Sequence, residues 1–304
     1  MNGTTTVQLA EKTAKAVTGS VEEWTGFLQS AARLYKYSYP EQLLIYAQRP
    51  DATACASYEI WNQTMRRYVR RDARGIALPD GAGAVRYVFD VADTGARKSS
   101  REVKTWALDE NNREAVAHAL ETQYGSAAKL GIAGQLEEIA MQQSMDYWQW
   151  HQDELRGIVD GSFLEGYDEL NLEIAFRNTA AASVKYMLLS RCNLAREYQI
   201  EPEELAGVLE WSTPAASGAL GSAISEMSEG VLRQIERTIR QYERSQNHDE
   251  RTDVHEERRV LDSRPDSSRT ADGAEQIRTD AGAVSEGASD DHLQQPAPER
   301  EADR

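Results

Sequence analysis

The sequence predicts an α+β fold, with N-terminal helices and a small antiparallel sheet, then an all-helical region, then a disordered polar tail. Three observations carry that prediction. Apolar residues recur at three- and four-residue spacing from Trp24 to Tyr35, the period of an amphipathic helix. Between Arg67 and Val91 the period shortens to two, the alternation of half-buried strands. From about Ser245 onward the apolar residues have no period at all, and such a segment cannot offset its ordering entropy by burial. The predicted domains are 19–108 (α+β), 109–245 (helical) and 246–304 (polar tail).

In chain order, residues 1–6 are short and polar, and are expected to fray. Ser20 and Glu23 have capping-box spacing ahead of Trp24, Phe27, Leu28, Ala31 and Leu34. Tyr39-Pro40 opens a second helix, with Leu43, Leu44 and Ala47 facing inward, and Pro50 closes it. A short helix is expected at 57–63. Gly75 supplies a positive φ if the turn at 73–75 needs one. Residues 76–78 and 85–91 read as strands around a hairpin loop at 79–83, with Val85, Tyr87, Phe89 and Val91 on the buried side. Residues 96–101 form a basic polar loop, and 103–108 an edge strand carrying Trp106. Asp109 caps a helix ending near Gly125. Further helices follow around Leu136–Met145 and Tyr167–Cys192, and after Pro202 and Pro214, the last carrying Val231, Ile235, Ile239 and Tyr242.

Composition narrows the function classes. The 304 residues carry a net charge of -16, which argues against indiscriminate nucleic-acid binding by the whole surface. No run is long and apolar enough for a bilayer, and no signal peptide is recognisable, so a cytoplasmic protein with no membrane partner is expected. Cys55 and Cys192 lie far apart without metal spacing and read as small apolar groups. The five histidines, at 118, 151, 248, 255 and 292, form no ligand set. There is no nucleophile elbow and no Walker lysine; residues 81–83 read as a turn. No cofactor, no metal and no enzymatic activity are expected.

Against that acidic average, Arg66, Arg67, Arg70, Arg71 and Arg74 fall within nine positions. One reading is a solvated face with weak surface ion pairs. The other is a phosphate-tracking surface whose guanidinium groups also lie flat on bases. Tyr58 and Tyr68 are the stacking candidates, while Trp61, Tyr87 and Phe89 suit a core better. Arg33 and Lys36, with Tyr35, Tyr37 and Tyr39, make either a second basic–aromatic strip or a helix–helix corner. Gln48 and Asn62 are base-edge ligands or structural caps. Residues 147–150, YWQW, are a helical packing face or a docking patch.

The run from Phe27 to Gly95 resembles the N-terminal domain of the ArdC antirestriction family. The resemblance rests on QLLIYAQ at 42–48, Ala52-Thr53 with Tyr58 and Trp61, RDARGIA at 71–77 and YVFDVADTG at 87–95. It implies non-sequence-specific binding of single-stranded DNA on a conjugative element. Most of the first 245 residues resemble the front of large helicase/methylase proteins of Firmicutes conjugative transposons, where a similar polar linker precedes the catalytic domains. The metallopeptidase-like domain of ArdC has no counterpart here, since the chain lacks His-Glu-x-x-His. The expected partners are single-stranded DNA and helicase/methylase or relaxosome proteins; the alternative expectation is a scaffold in conjugative transfer without direct DNA contact, whose helical half recruits a relaxosome or restriction-system protein.

Overall fold

Ser20 stops the chain from fraying where the first amphipathic stripe begins. Its Oγ accepts from the Glu23 amide at 3.1 Å, and the helix that follows buries Trp24, Phe27, Leu28 and Ala31. In the computed structural model, which describes residues 2–81, 84–195 and 200–262, this helix is the second of eight. Three helices lead: α1 (Gly3–Val17), α2 (Val21–Arg33) and α3 (Tyr39–Gln48). The first was not expected. Asn2 caps it by accepting from the Thr5 amide, and it buries only small residues and Val17, too faint a stripe to read. Strands β1 (Cys55–Ser57), β2 (Tyr68–Val69), β3 (Ile76–Pro79), β4 (Val85–Asp90) and β5 (Thr94–Gly95) follow.

The strands form two small antiparallel sheets, one ordered β1-β4-β3 and the other a β2–β5 ribbon. Ile76, Leu78 and Val88 pack with Leu34, Leu44 and Ile45 into a compact secondary core. Strand β4 therefore turns the opposite face inward from the one its rings suggest. Val88 and Asp90 are buried, Phe89 is half-buried and Tyr87 is exposed. Asp90 holds that register, because its carboxylate accepts from the amides of Thr53, Ala54 and Ala92. Three backbone donors outweigh the apolar pull of two rings. Gly75 is not among the positive-φ glycines; it is small because Tyr87 and Phe89 lie directly against it.

The helical half comprises α4 (Arg113–Tyr124), α5 (Gly131–Gly157), α6 (Glu169–Arg191), the single turn α7 (Pro202–Leu205) and α8 (Pro214–Asp262). Gly125 ends α4 at φ 74°, and Asp109 holds the preceding turn through the Asn111 and Asn112 amides. Residues 103–108 make no strand; Trp106 is simply buried, its Nε1 donating to Tyr35 Oη at 3.0 Å. Ala47, expected to face inward, is exposed, and so are Met145, Leu170 and Ile174 on the later helices. The change of period near 108 is not a break in packing. Trp24, Phe27 and Tyr39 share one core with Phe176, Trp211 and Leu220, and Met1–Asp253 is one unit. Helix α8 also runs past the expected boundary at 245 as far as Asp262, in a stretch rich in Glu and Arg, good helix formers without an apolar stripe. The rest of the expected tail, 263–304, lies outside the described residues. Among the described residues no helix is long and apolar enough to cross a membrane.

Candidate nucleic-acid interface

The arginine segment is built by a local irregularity. Residues 60–64 form one turn of π-helix, and Met65 leads into Arg66 at φ 54°, left-handed backbone for a residue that disfavours it. Arg66 is held there from both sides. The Arg67 amide donates to the Trp61 carbonyl at 2.8 Å, and Ser100 Oγ donates to the Arg66 carbonyl at 2.7 Å. Strand β2 then pairs with β5, Tyr68 opposite Gly95 and Val69 opposite Thr94. The Arg70 amide continues the ribbon to the Asp93 carbonyl.

That pairing brings a second basic stretch alongside the first. The Arg101 amide donates to the Met65 carbonyl at 2.9 Å, and Arg97 and Ser100 close their own turn. Arg97, Lys98 and Arg101 thus belong to the same ribbon as Arg66–Arg74. Residues 96–101 read as a basic loop in the sequence, but only strand pairing assigns them to this site.

The side chains divide by face, as alternate residues of a strand must. Arg67 turns inward and is half-buried, its Nε donating to Thr94 Oγ1 at 2.8 Å. Tyr68 turns outward, 41% exposed, with its ring directly over the Gly95 backbone and the Arg97 guanidinium 5.5 Å from its centroid. Arg66, Arg70, Arg71 and Arg74 are exposed. Among the described residues no carboxylate forms an ion pair with any of these arginines, nor with Arg97, Lys98 or Arg101. Elsewhere the surface arginines mostly have partners: Arg49 with Asp93, Arg86 with Glu41, Arg177 with Glu173.

Other candidate residues fall elsewhere. Trp61 is 2% exposed, its Nε1 donating to the Phe89 carbonyl, so it braces the site from beneath and cannot stack on a base. Arg33 donates to the carbonyls of Ala52 and Pro50 and is part of a turn. Lys36 is bound by Glu236 at 2.6 Å. The strip around Tyr35 and Tyr39 is a helix–helix corner, both tyrosines being buried. Gln48 bridges Leu44 and both backbone groups of Ala77, and Asn62 caps Tyr58. Tyr58 remains exposed, at 54%. Tyr87, expected in the core, joins it as an exposed ring lying on Gly75, next to Arg74. Of the YWQW stretch, Trp148 packs inside while Trp150 is left out in solvent.

The chemistry available is therefore cationic and aromatic. Cys55 and Cys192 are free, and burial pushes both thiols up to about 12. Among the described residues no group of His, Cys, Asp and Glu is placed to hold a metal ion. Comparison with family models, characterised proteins and solved structures returns no match.

Proposed function

We propose that the chain binds single-stranded DNA without reading its sequence, through the β2–β5 ribbon and the two basic stretches it joins. One observation carries the proposal: a group of guanidinium groups without carboxylate partners, beside exposed rings, on a molecule whose net charge is -16. Counterion release at Arg66, Arg70, Arg71, Arg74, Arg97, Lys98 and Arg101 would supply most of the affinity. Tyr58, Tyr68 and Tyr87 offer ring faces to unpaired bases, which duplex DNA keeps stacked inside. The acidic remainder confines phosphate contact to this face. The likeness of residues 27–95 to the ArdC N-terminal domain supports the same reading, with DNA protection on a conjugative element as the role, or service as the front module of a helicase/methylase protein.

The test is anisotropy of a labelled oligothymidylate against salt. The log–log slope should fall by about 0.7 for each phosphate contact removed, so changing Arg70, Arg71 and Arg74 together to Ala should flatten it by about 2 units. A slope already flat in the unaltered chain, or unmoved in the triple variant, rules the reading out. The scaffold alternative is favoured by one observation, the large apolar rings of Trp150 and Phe163 exposed at 82% and 75% on the helical half. Nuclease-resistant co-purification of a transfer protein, with no oligonucleotide binding, would establish it instead.

A further inference from the structure

Helix α6 ends on an arginine that the basic ribbon does not use. Arg191 stacks on Trp106, its guanidinium carbon 3.5 Å from the ring centroid, and one nitrogen donates to the Trp106 carbonyl at 2.9 Å. Among the described residues it has no carboxylate in ion-pair contact. Glu236, which acts on it through space, is already held by Lys36, Tyr35 and Arg240. A guanidinium carries five N–H donors, so most of those on Arg191 are left for whatever enters the neighbouring space. Burial pushes its pKa down, the expected cost of withdrawing a cation from water without a bound anion.

That space is a cleft of about 600 Å³ between the end of α2, the turn after α3, the segment before Trp106 and the end of α6. Arg33, Thr53, Thr105, Ser190 and Asn193 line it with Arg191; among the described lining residues there is no carboxylate, and the apolar ones are alanines. Arg33 spends donors on two carbonyls, which fixes its guanidinium at the wall and leaves its other N–H groups uncommitted. The carbonyls ending α6 do not repel an anion unopposed. Leu188, Leu189 and Ser190 accept from the amides of Cys192, Leu194 and Asn193, with Asn193 in the left-handed conformation that ends the helix.

We propose that this cleft is a phosphate-binding pocket, in which Arg191, braced by Trp106, takes phosphate oxygens through its fork of donors and Arg33, Thr105 and Ser190 complete the cradle. Two guanidinium groups with hydroxyls and an amide make a donor set for a tetrahedral oxyanion, and the volume suits a nucleoside monophosphate. The phosphate comes from a free nucleotide or from a nucleic-acid backbone, since Thr105 lies four residues beyond the basic stretch ending at Arg101. The pocket does not depend on the ribbon, and a chain that fails to bind DNA there would still hold phosphate here.

The experiment is calorimetric titration of the full chain with inorganic phosphate, AMP and an oligothymidylate. The chains compared are unaltered, Arg191→Lys, Thr105→Glu, and the triple alanine variant at Arg70, Arg71 and Arg74. Phosphate and AMP should bind the unaltered chain and the triple variant equally, and lose at least tenfold in affinity in Arg191→Lys and Thr105→Glu. Lysine keeps the charge and loses the fork. Thr105 is exposed, so Thr105→Glu sets a carboxylate on the wall without disturbing the core, and decides the matter if Arg191→Lys fails to fold. Oligothymidylate weakened by Thr105→Glu identifies the backbone as the source; AMP alone weakened identifies a free nucleotide. If none of the three ligands distinguishes the unaltered chain from a folded Thr105→Glu chain, the pocket does not exist.

Discussion

Tyr68 and Gly95 show how a single missing methyl group sets the ribbon. A Cβ on Gly95 would lie 2.7 Å from Tyr68 Cε1, closer than atoms tolerate. The tyrosine is the end of a partly exposed side chain, so Gly95→Ala should displace the ring instead of unfolding the ribbon. The expected result is a stability change below about 1 kcal/mol, with a loss of oligonucleotide affinity matching Tyr68→Ala, about 1–3 kcal/mol. Full affinity in a folded Gly95→Ala chain would show that the ring does not stack. At this scale sequence reasoning was uneven. The exposed tyrosines at 58 and 68 were legible because arginines surround them. Tyr87 was not: in VRYVFD both faces of the strand carry apolar groups, and the decision falls to Asp90, whose three amide donors lie up to 37 residues away in the chain. Arg33 and Lys36 fall off the ribbon for a related reason. A cation's partners in the fold, two carbonyls for one and Glu236 for the other, leave no local mark.

At the scale of elements, the basic loop at 96–101 depends on Ser100. Its hydroxyl accepts from the Arg97 amide at 2.6 Å and donates to the Arg66 carbonyl at 2.7 Å, tying the two cationic stretches together. Ser100→Ala removes both bonds where backbone is partly exposed, at a cost of about 1–2 kcal/mol. The amides of Arg97 and Arg101 should then exchange with solvent faster, while those of β3 and β4 keep their protection. DNA affinity should fall although no charge has been removed. Unchanged exchange at those amides would mean that the loop is held by other contacts. Helices α2 to α6 were legible in outline because caps, prolines and a 3.6-residue stripe are local signals. The β2–β5 ribbon was not, since each of its strands is two residues long, too short for any period, and only pairing defines it.

Across the unit from Met1 to Asp253, the domain boundary expected at 108 disappears because packing ignores the change of period. A polar joint within it is Glu236 on α8, which accepts from Tyr35 Oη at 2.5 Å, Lys36 Nζ at 2.8 Å and the Arg240 guanidinium at 2.6 Å. Tyr35 in turn accepts from Trp106, so one carboxylate joins the first helices, the segment leaving the ribbon and the last helix. Burial works to raise its pKa, but the hydrogen bonds from Lys36, Tyr35 and Arg240 outweigh that and hold it at about 2. Because the folded value lies below the unfolded one, the folded chain binds fewer protons as acid is added. The stability contributed by this group is complete above the ordinary carboxylate range and is lost as pH falls toward 2. Glu236→Gln should therefore lower the urea midpoint at pH 7, since Lys36 and Arg240 lose their anion. It should also narrow the gap between variant and unaltered chain steadily from pH 5 to about pH 2. A constant gap across that range would mean that Glu236 is not the titrating link, and that the helices hold the ribbon by apolar packing alone.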